Sequence, residues 1–400
     1  MRTLKLALVC AACLSMVLPV QAQAPSPDDG GVSAFYSWSG KLPAKPGRML
    51  RAEPVTDKTP LSNAASSTRI LYASTNGIDG KAITAVSGEL YLPKGKAPKG
   101  GWPLMAWAHG TVGIADKCAP SFAGRSQRDI DYLNFWLDQG YAVVASDYQG
   151  LGTPGRHPYL ATRPAAYSVL DSVRAVQKGK YGLSKKVVLI GQSQGGGAAW
   201  ATAAYAKMYA PELDIRGTVA TGTPYFSPAA QKAVLDAKPR DAVDPTFAYT
   251  LLILTLREMQ DPTFHLSDYL TDKAAPTMRL GYSECLGPLE KGIVDNKLSY
   301  NATFRKDPMD QIVAAYPAMG YPTLKPSAPI FMGTGGKDRD VVPPMQESLV
   351  RDACKAGAII EWHLYPDLDH SGTVNGSRQD SAPFVKKAFA GEKIAGNCKA

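Results

Sequence analysis

The residues of this 400-residue chain best placed to do chemistry lie in Gly191-Gln192-Ser193-Gln194-Gly195. Residues 186–190 are a β-branched run suited to a buried parallel strand, and residues 198–209 are helix formers with apolar Trp200, Tyr205 and Met208. Between them stands G-x-S-x-G, in which the serine occupies a strained strand-to-helix turn and the glycines avoid the clashes a Cβ would make. The hydroxyl is thereby pushed into the open. The helix N-terminus behind it offers unpaired N–H groups to a developing negative charge. Such a serine is equipped to attack a carbonyl.

A serine hydroxyl is a poor nucleophile at neutral pH and needs a histidine within hydrogen-bond reach. Of the five histidines, His363 lies inside the apolar run 358–365 and reads as a sheet-face residue. His157 precedes a helix and His265 lies in a stretch without strand character, so both read as surface or packing residues. His109 ends a strand, but Gly110-Thr111 after it suggests a loop presenting backbone N–H groups, with the ring in a packing role. His370, in the polar loop 365–372, is assigned as general acid/base, because this architecture runs serine, acid, histidine along the chain. The acid should then follow the strand at 329–333, where Asp338 and Asp340 both stand. The spacing Gly335-x-x-Asp338-x-x-Val341 favours Asp338, with Asp340 as the alternative. Asp367 and Asp369 are too near His370 in sequence, and Asp147, which precedes Ser193, reads as a loop anchor. The oxyanion needs two preorganised donors, expected at the backbone N–H of Gln194 and at Gly110 or Thr111.

These groups must be held by a scaffold. A hairpin at 68–74 and 83–92 is followed by strands at 102–109, 141–146, 186–190 and 215–220 that alternate with helices. That alternation argues an α/β fold with a mostly parallel, doubly wound sheet, where functional groups collect at the carboxyl ends of strands. It breaks at 224–325, which reads as an inserted helical cap over the strand ends. The apolar helix at 247–259 is expected to be the cap's own core rather than a lipid-contacting surface. Strand character returns at 329–333 and 358–365, and 383–389 is a closing helix. The expected division is a signal peptide at 1–22, a leader at 23–67, an α/β core at 68–223 and 326–400, and the cap at 224–325. The leader, rich in Pro, Ser, Ala and Gly, reads as an extended surface segment.

Composition narrows the function classes. At 45% hydrophobic the chain can bury a large core. Arg2 and Lys5, an apolar run over 6–20 and Val20-Gln21-Ala22 have the form of a secretory signal, cleaved after Ala22, for a secreted or periplasmic protein. Its loss lowers the formal charge from +9 to +7. The charges are scattered without a basic, aromatic-interleaved stripe, which argues against nucleic-acid binding. Cys118, Cys285, Cys354 and Cys398 remain, an even number that favours two disulfides in an exported chain. Three connectivities are open, and the spacings resemble no zinc site.

Four segments in order are similar to the secretory lipase family of α/β-hydrolases: Ala108-His109-Gly110-Thr111, Ala115 to Ser121, Asp147 to Gly155, and Gln192 to Gly196. The resemblance runs from about residue 68 to the end. It implies an α/β-hydrolase fold with a helical cap inserted before the acid-bearing strand, a carboxylic-ester hydrolase, no metal, and disulfides Cys118 to Cys285 and Cys354 to Cys398. Two positions depart from the family pattern: Gln192, where an aromatic or His is usual, and an extra residue before Pro343. The expectation is a secreted serine esterase or lipase that forms an acyl-enzyme, uses no cofactor and acts as a monomer on small-molecule or lipid esters, with transient lipid-interface contact through the cap. A serine peptidase on the same fold is the alternative, and a non-catalytic binding protein on that scaffold a third reading.

Overall fold

The computed structural model describes residues 32–56, 61–227, 230 and 239–398, so the expected signal peptide lies outside the described residues. Among the described residues nine strands form one sheet in the order β1-β2-β3-β5-β4-β6-β7-β8-β9. They are β1 (Arg48–Pro54), β2 (Ala64–Thr75), β3 (Ile83–Pro93), β4 (Trp102–Ala108), β5 (Ala142–Ser146), β6 (Leu183–Gln192), β7 (Asp214–Thr221), β8 (Ile330–Gly335) and β9 (Ile360–Tyr365). The pairs from β1 to β5 by way of β3 are antiparallel, and those from β5 through β4 to β9 are parallel. Parallel neighbours need crossovers, which helices supply. The longer helices are α1 (Gln127–Asp138), α2 (Thr162–Gln177), α3 (Gln194–Tyr209), α4 (Ala248–Gln260), α5 (Ala275–Ser283), α6 (Leu286–Asp295), α7 (Met309–Met319), α8 (Pro343–Lys355) and α9 (Arg378–Ala390).

The central strands are buried on both faces. Leu133 and Trp136 of α1 and Phe384 and Val385 of α9 cover one side, while Val169 and Val173 of α2 and Ala199 and Ala203 of α3 cover the other. Helix α9 begins earlier than its sequence suggests and keeps Pro383 inside it. A proline there costs about 3 kcal/mol. Burial of Phe384, Val385 and Ala388 against the sheet offsets it, at about 1.5–3 kcal/mol for each large side chain.

The segment read as a surface leader is more than that. Residues 48–54 form the edge strand β1, and β2 already starts at Ala64. The charges of Arg48, Arg51 and Glu53 on β1 suit an edge position, and this polar character hid the strand. Phe35 and Tyr36 are buried, and the Tyr36 ring meets Phe122 edge-on at 5.8 Å.

Strand register sets the geometry of the site. Ala108 stands opposite Gly191, Gln192 opposite Thr221, Thr221 opposite Gly333, and Gly335 opposite Tyr365. The loops carrying Gly110, Ser193, Asp338 and His370 therefore leave the sheet along one edge. Above that edge the described part of 239–320 holds α4 to α7 and no strand. Helix α4 buries Leu251, Leu252, Leu254 and Leu256 in a cluster with Met278, Leu289 and Ile293. Its apolar surface is thus the interior of the helical layer.

This layer is pinned to the sheet beside the β4 loop. Cys118 is bonded to Cys285 with Cα atoms 5.4 Å apart, and the Leu286 N–H donates to Val112 O at 2.9 Å. A second disulfide joins Cys354 of α8 to Cys398. The pairing implied by the family resemblance is the one the chain adopts, and a disulfide closing a long loop stabilises by about 2–4 kcal/mol.

Candidate active site

Ser193 has φ 60° and ψ −125°, a region that a side chain rarely occupies, and it is the junction between β6 and α3. The turn is held because the Ser193 N–H donates to Thr221 O at 2.9 Å while Ser193 O accepts from the Gly197 N–H at 3.0 Å. Both flanking glycines are obligatory. A Cβ on Gly191 would stand 2.0 Å from Gly195 O, and one on Gly195 would stand 1.9 Å from Ala108 O. Backbone cannot yield to such contacts without separating β4, β6 and α3. Gly195→Ala is therefore expected to destabilise the fold by about 3 kcal/mol or more. A thermal melt within 2–3 °C of the unmutated protein, as a rough margin, would contradict this close packing.

His370 and Asp338 meet from the loops after β9 and β8. The His370 Nδ1–H donates to Asp338 Oδ2 at 2.7 Å. Oδ2 also accepts from Gln346 Nε2 at 3.0 Å, and Oδ1 accepts from the N–H groups of Asp340 and Val341 at 3.0 and 2.9 Å. Four donors converge on one buried carboxyl, an environment that fits the anion. An anionic partner places the imidazole proton on Nδ1 and leaves a lone pair on Nε2. Among the described residues Nε2 has no hydrogen-bond partner. The ring packs against Gly222, where a Cβ would lie 2.7 Å from His370 Cε1. Gly222 directly follows the Thr221 whose carbonyl anchors Ser193, so the imidazole and the serine share one strand end.

Asp340 is turned elsewhere. Its Oδ1 accepts from the Tyr249 hydroxyl of α4 at 2.6 Å. Ligand atoms of Asp338, Asp340 and His370 lie within 4.8 Å of one another, close enough to suggest a cation site. The facing Nδ1 and Asp338 oxygens are, however, already engaged with one another and with N–H donors.

Gly110 approaches the serine closely, since a Cβ on it would be 3.5 Å from Ser193 Cβ and 2.6 Å from Gln192 Oε1. Among the described residues the backbone N–H groups of Gly110, Thr111 and Gln194 have no hydrogen-bond acceptor. The Thr111 hydroxyl is hydrogen-bonded to the Tyr159 hydroxyl at 2.8 Å. Asp147 points away from this cluster. It is fully buried, accepting from the Ser87 hydroxyl at 2.7 Å and from the N–H and hydroxyl of Ser121, as an anchor should.

Two histidines read as bystanders differ in what they do. His363 stacks on Phe331 at 5.0 Å on the sheet face. His157 is not a surface residue. It is 3% exposed and sits 2.9 Å from the side-chain amide of Gln194. No local pattern in the sequence signalled this, because its partner is 37 residues away.

Ser193 and Gln194 form one end of a cavity of about 240 Å³ beneath the helical layer. Its walls are largely apolar and aromatic, with Tyr159, Phe226, Phe247, Ile253, Ile312 and Tyr316. Burial, reinforced by neighbouring Asp340 and Asp244, pushes the Glu290 carboxyl on α6 up to about 7.

The sequence model of the secretory lipase family matches residues 122–238. A secreted triacylglycerol lipase of Malassezia globosa is 25% identical over 390 residues, covering 92% of this chain and 81% of its own. Lipase A of Moesziomyces aphidis is 26% identical, covering 96% of this chain and 85% of its own. The chain is thus similar to secretory lipases over most of its length. The crystal structure of Candida antarctica lipase A superposes with a TM-score of 0.72 at 22% identity, covering 94% of this chain and 90% of that one. The chain therefore has the α/β-hydrolase fold, and the helical layer sits between the seventh and eighth strands of its sheet.

Proposed function

We propose that the chain is an exported serine carboxylic-ester hydrolase of the esterase or lipase type. In this reading Ser193 Oγ attacks the ester carbonyl while His370 Nε2 takes its proton. The tetrahedral oxyanion is received by the N–H of Gln194 and by Gly110 or Thr111. His370 then protonates the departing alcohol, and in the second half it activates water against the acyl-enzyme. Asp338 keeps the imidazole in the reactive tautomer and stabilises the imidazolium. The observation that carries the reading is the buried His370 to Asp338 hydrogen bond at the strand end that also anchors the strained Ser193.

The apolar cavity at Ser193 supports an aliphatic or aromatic acyl group. Among the described residues no helix is long and apolar enough to cross a membrane. Two disulfides and the relatives' description as secreted support export, and the chain is proposed to work as a monomer. Any contact of the helical layer with a lipid surface would use faces other than the buried leucines of α4. Hydrolysis of p-nitrophenyl esters of increasing chain length, with and without an oil-water interface, is the test, run beside a panel of aminoacyl anilides. Activity on esters that persists or rises with chain length is expected. Cleavage of anilides alone would replace this reading with that of a peptidase.

A further inference from the structure

The loop after β5, Asp147-Tyr148-Gln149-Gly150-Leu151-Gly152, takes no part in the steps above, yet it lies between the two arms of the oxyanion site. Tyr148 has φ 72°, strained for an aromatic residue, and its side chain is buried. Its hydroxyl donates to His109 O at 2.9 Å, and its ring lies 4.4 Å from the His109 ring. His109 in turn reaches Gly110. Its Nδ1 is 2.7 Å from Gly110 O and its Nε2 is 3.3 Å from Asp147 O. Burial pushes His109 down to about 4, so the ring is neutral and donates one N–H, to the nearer carbonyl.

The other arm is held in a similar way. The His157 Nδ1–H donates to Gln149 O at 2.9 Å, which leaves Nε2 to accept from the Gln194 side-chain amide at 2.9 Å. Burial keeps His157 neutral as well, pushed down to about 4, and only the neutral ring can both donate and accept. Gln149 is itself fixed, since its amide donates to Asn76 Oδ1 at 2.9 Å and accepts from the Gly77 N–H at 2.8 Å. The Tyr148 and His157 rings lie nearly parallel, 6.0 Å apart.

We propose that Tyr148 and His157 are positioning residues that fix the separation of the two oxyanion arms, Gly110 by way of His109 and Gln194 by way of its side-chain amide. The proposal rests on the ester-hydrolase reading above. Backbone donors stabilise an oxyanion strongly only when preorganised close to the point where the charge develops. Neither residue needs to touch substrate for its loss to be felt there. A purely structural role would lower the melting temperature and leave turnover by the folded fraction unchanged.

The test measures kcat and KM for a p-nitrophenyl ester, together with inhibition by an arylboronic acid that mimics the tetrahedral intermediate. The full chain is compared with Y148F, H157F, H157Q, Q194M and H157F/Q194M. Q194M keeps the backbone N–H and removes only the side-chain bond. Y148F, H157F and Q194M are expected to lower kcat by about 10- to 100-fold with KM nearly unchanged. Boronic acid affinity should fall in parallel. H157Q, whose amide oxygen can accept from Gln194, should recover most of the loss, and the double variant should lose no more than either single one. Unchanged kcat in folded variants, a loss confined to KM, unchanged boronic acid affinity, additive losses, or H157Q no better than H157F would overturn the proposal. If H157F does not fold, Y148F, H157Q and Q194M decide it by the same criteria. Absence of ester hydrolysis by the unmutated chain would overturn the ester-hydrolase reading and this proposal with it, whereas an active parent with unaffected variants overturns this proposal alone.

Discussion

Ser193→Ala is expected to reduce kcat for ester hydrolysis by about 100,000-fold or more while leaving the fold intact. The magnitude follows from the role of the hydroxyl: without it no acyl-enzyme forms, and only catalysis by the oxyanion donors and by binding remains. Stability should change little, because the Ser193 hydroxyl makes no hydrogen bond among the described residues and the turn is held by backbone contacts to Thr221 and Gly197. Circular dichroism and a thermal melt should match those of the parent, and covalent labelling by an organophosphonate should disappear. Retained hydrolysis, or labelling at another residue, would remove Ser193 from the mechanism.

Asp338→Asn should cost about 10,000-fold in kcat, and Asp340→Asn about 10-fold or less. The hydrogen bonds at Asp338 explain the asymmetry. Oδ1 faces two backbone N–H donors, so an asparagine there must keep its oxygen on that side. Its NH₂ group then faces His370, where Oδ2 had accepted the Nδ1–H. Two donors cannot share that position, so the imidazole moves its proton to Nε2 and loses the lone pair that must receive the serine proton. Gln346 Nε2 also donates to Val341 O at 2.7 Å, which holds its amide in place and sets a second donor against the new NH₂. Asp340 touches Tyr249 on the cavity wall, and asparagine can still accept that hydrogen bond. Kinetics of the two variants with one ester settle the matter, and a larger loss at Asp340 would exchange their roles.

Much of the architecture was legible because its signals are short in sequence. The run 186–190, the glycines around Ser193 and the alternation of strands with helices each report a local backbone requirement, and the sheet order and α3 agree with them. Strand β1 was not legible. An edge strand with one exposed face carries charges such as Arg51 and Glu53, and it looks like a surface segment until its partner β2 is known. The disulfide pairing was equally closed to a reading of spacings, since 167 residues separate Cys118 from Cys285. It came only from the family resemblance.

By itself the sequence determined which groups are available and in what order: a serine set on a tight strand-to-helix turn by its glycines, a histidine in the last loop, and two carboxylates between them. These follow from sterics within a few residues and from the sense in which the strands are wound. Spacing favours Asp338 over Asp340, and only the tertiary structure shows where each side chain turns, Asp338 toward His370 and Asp340 toward Tyr249. The tertiary structure also moved His157 from bystander to partner of Gln194, beside the serine. Hydrogen bonds depend on direction and on a few tenths of an ångström, and neither is encoded in spacing along the chain.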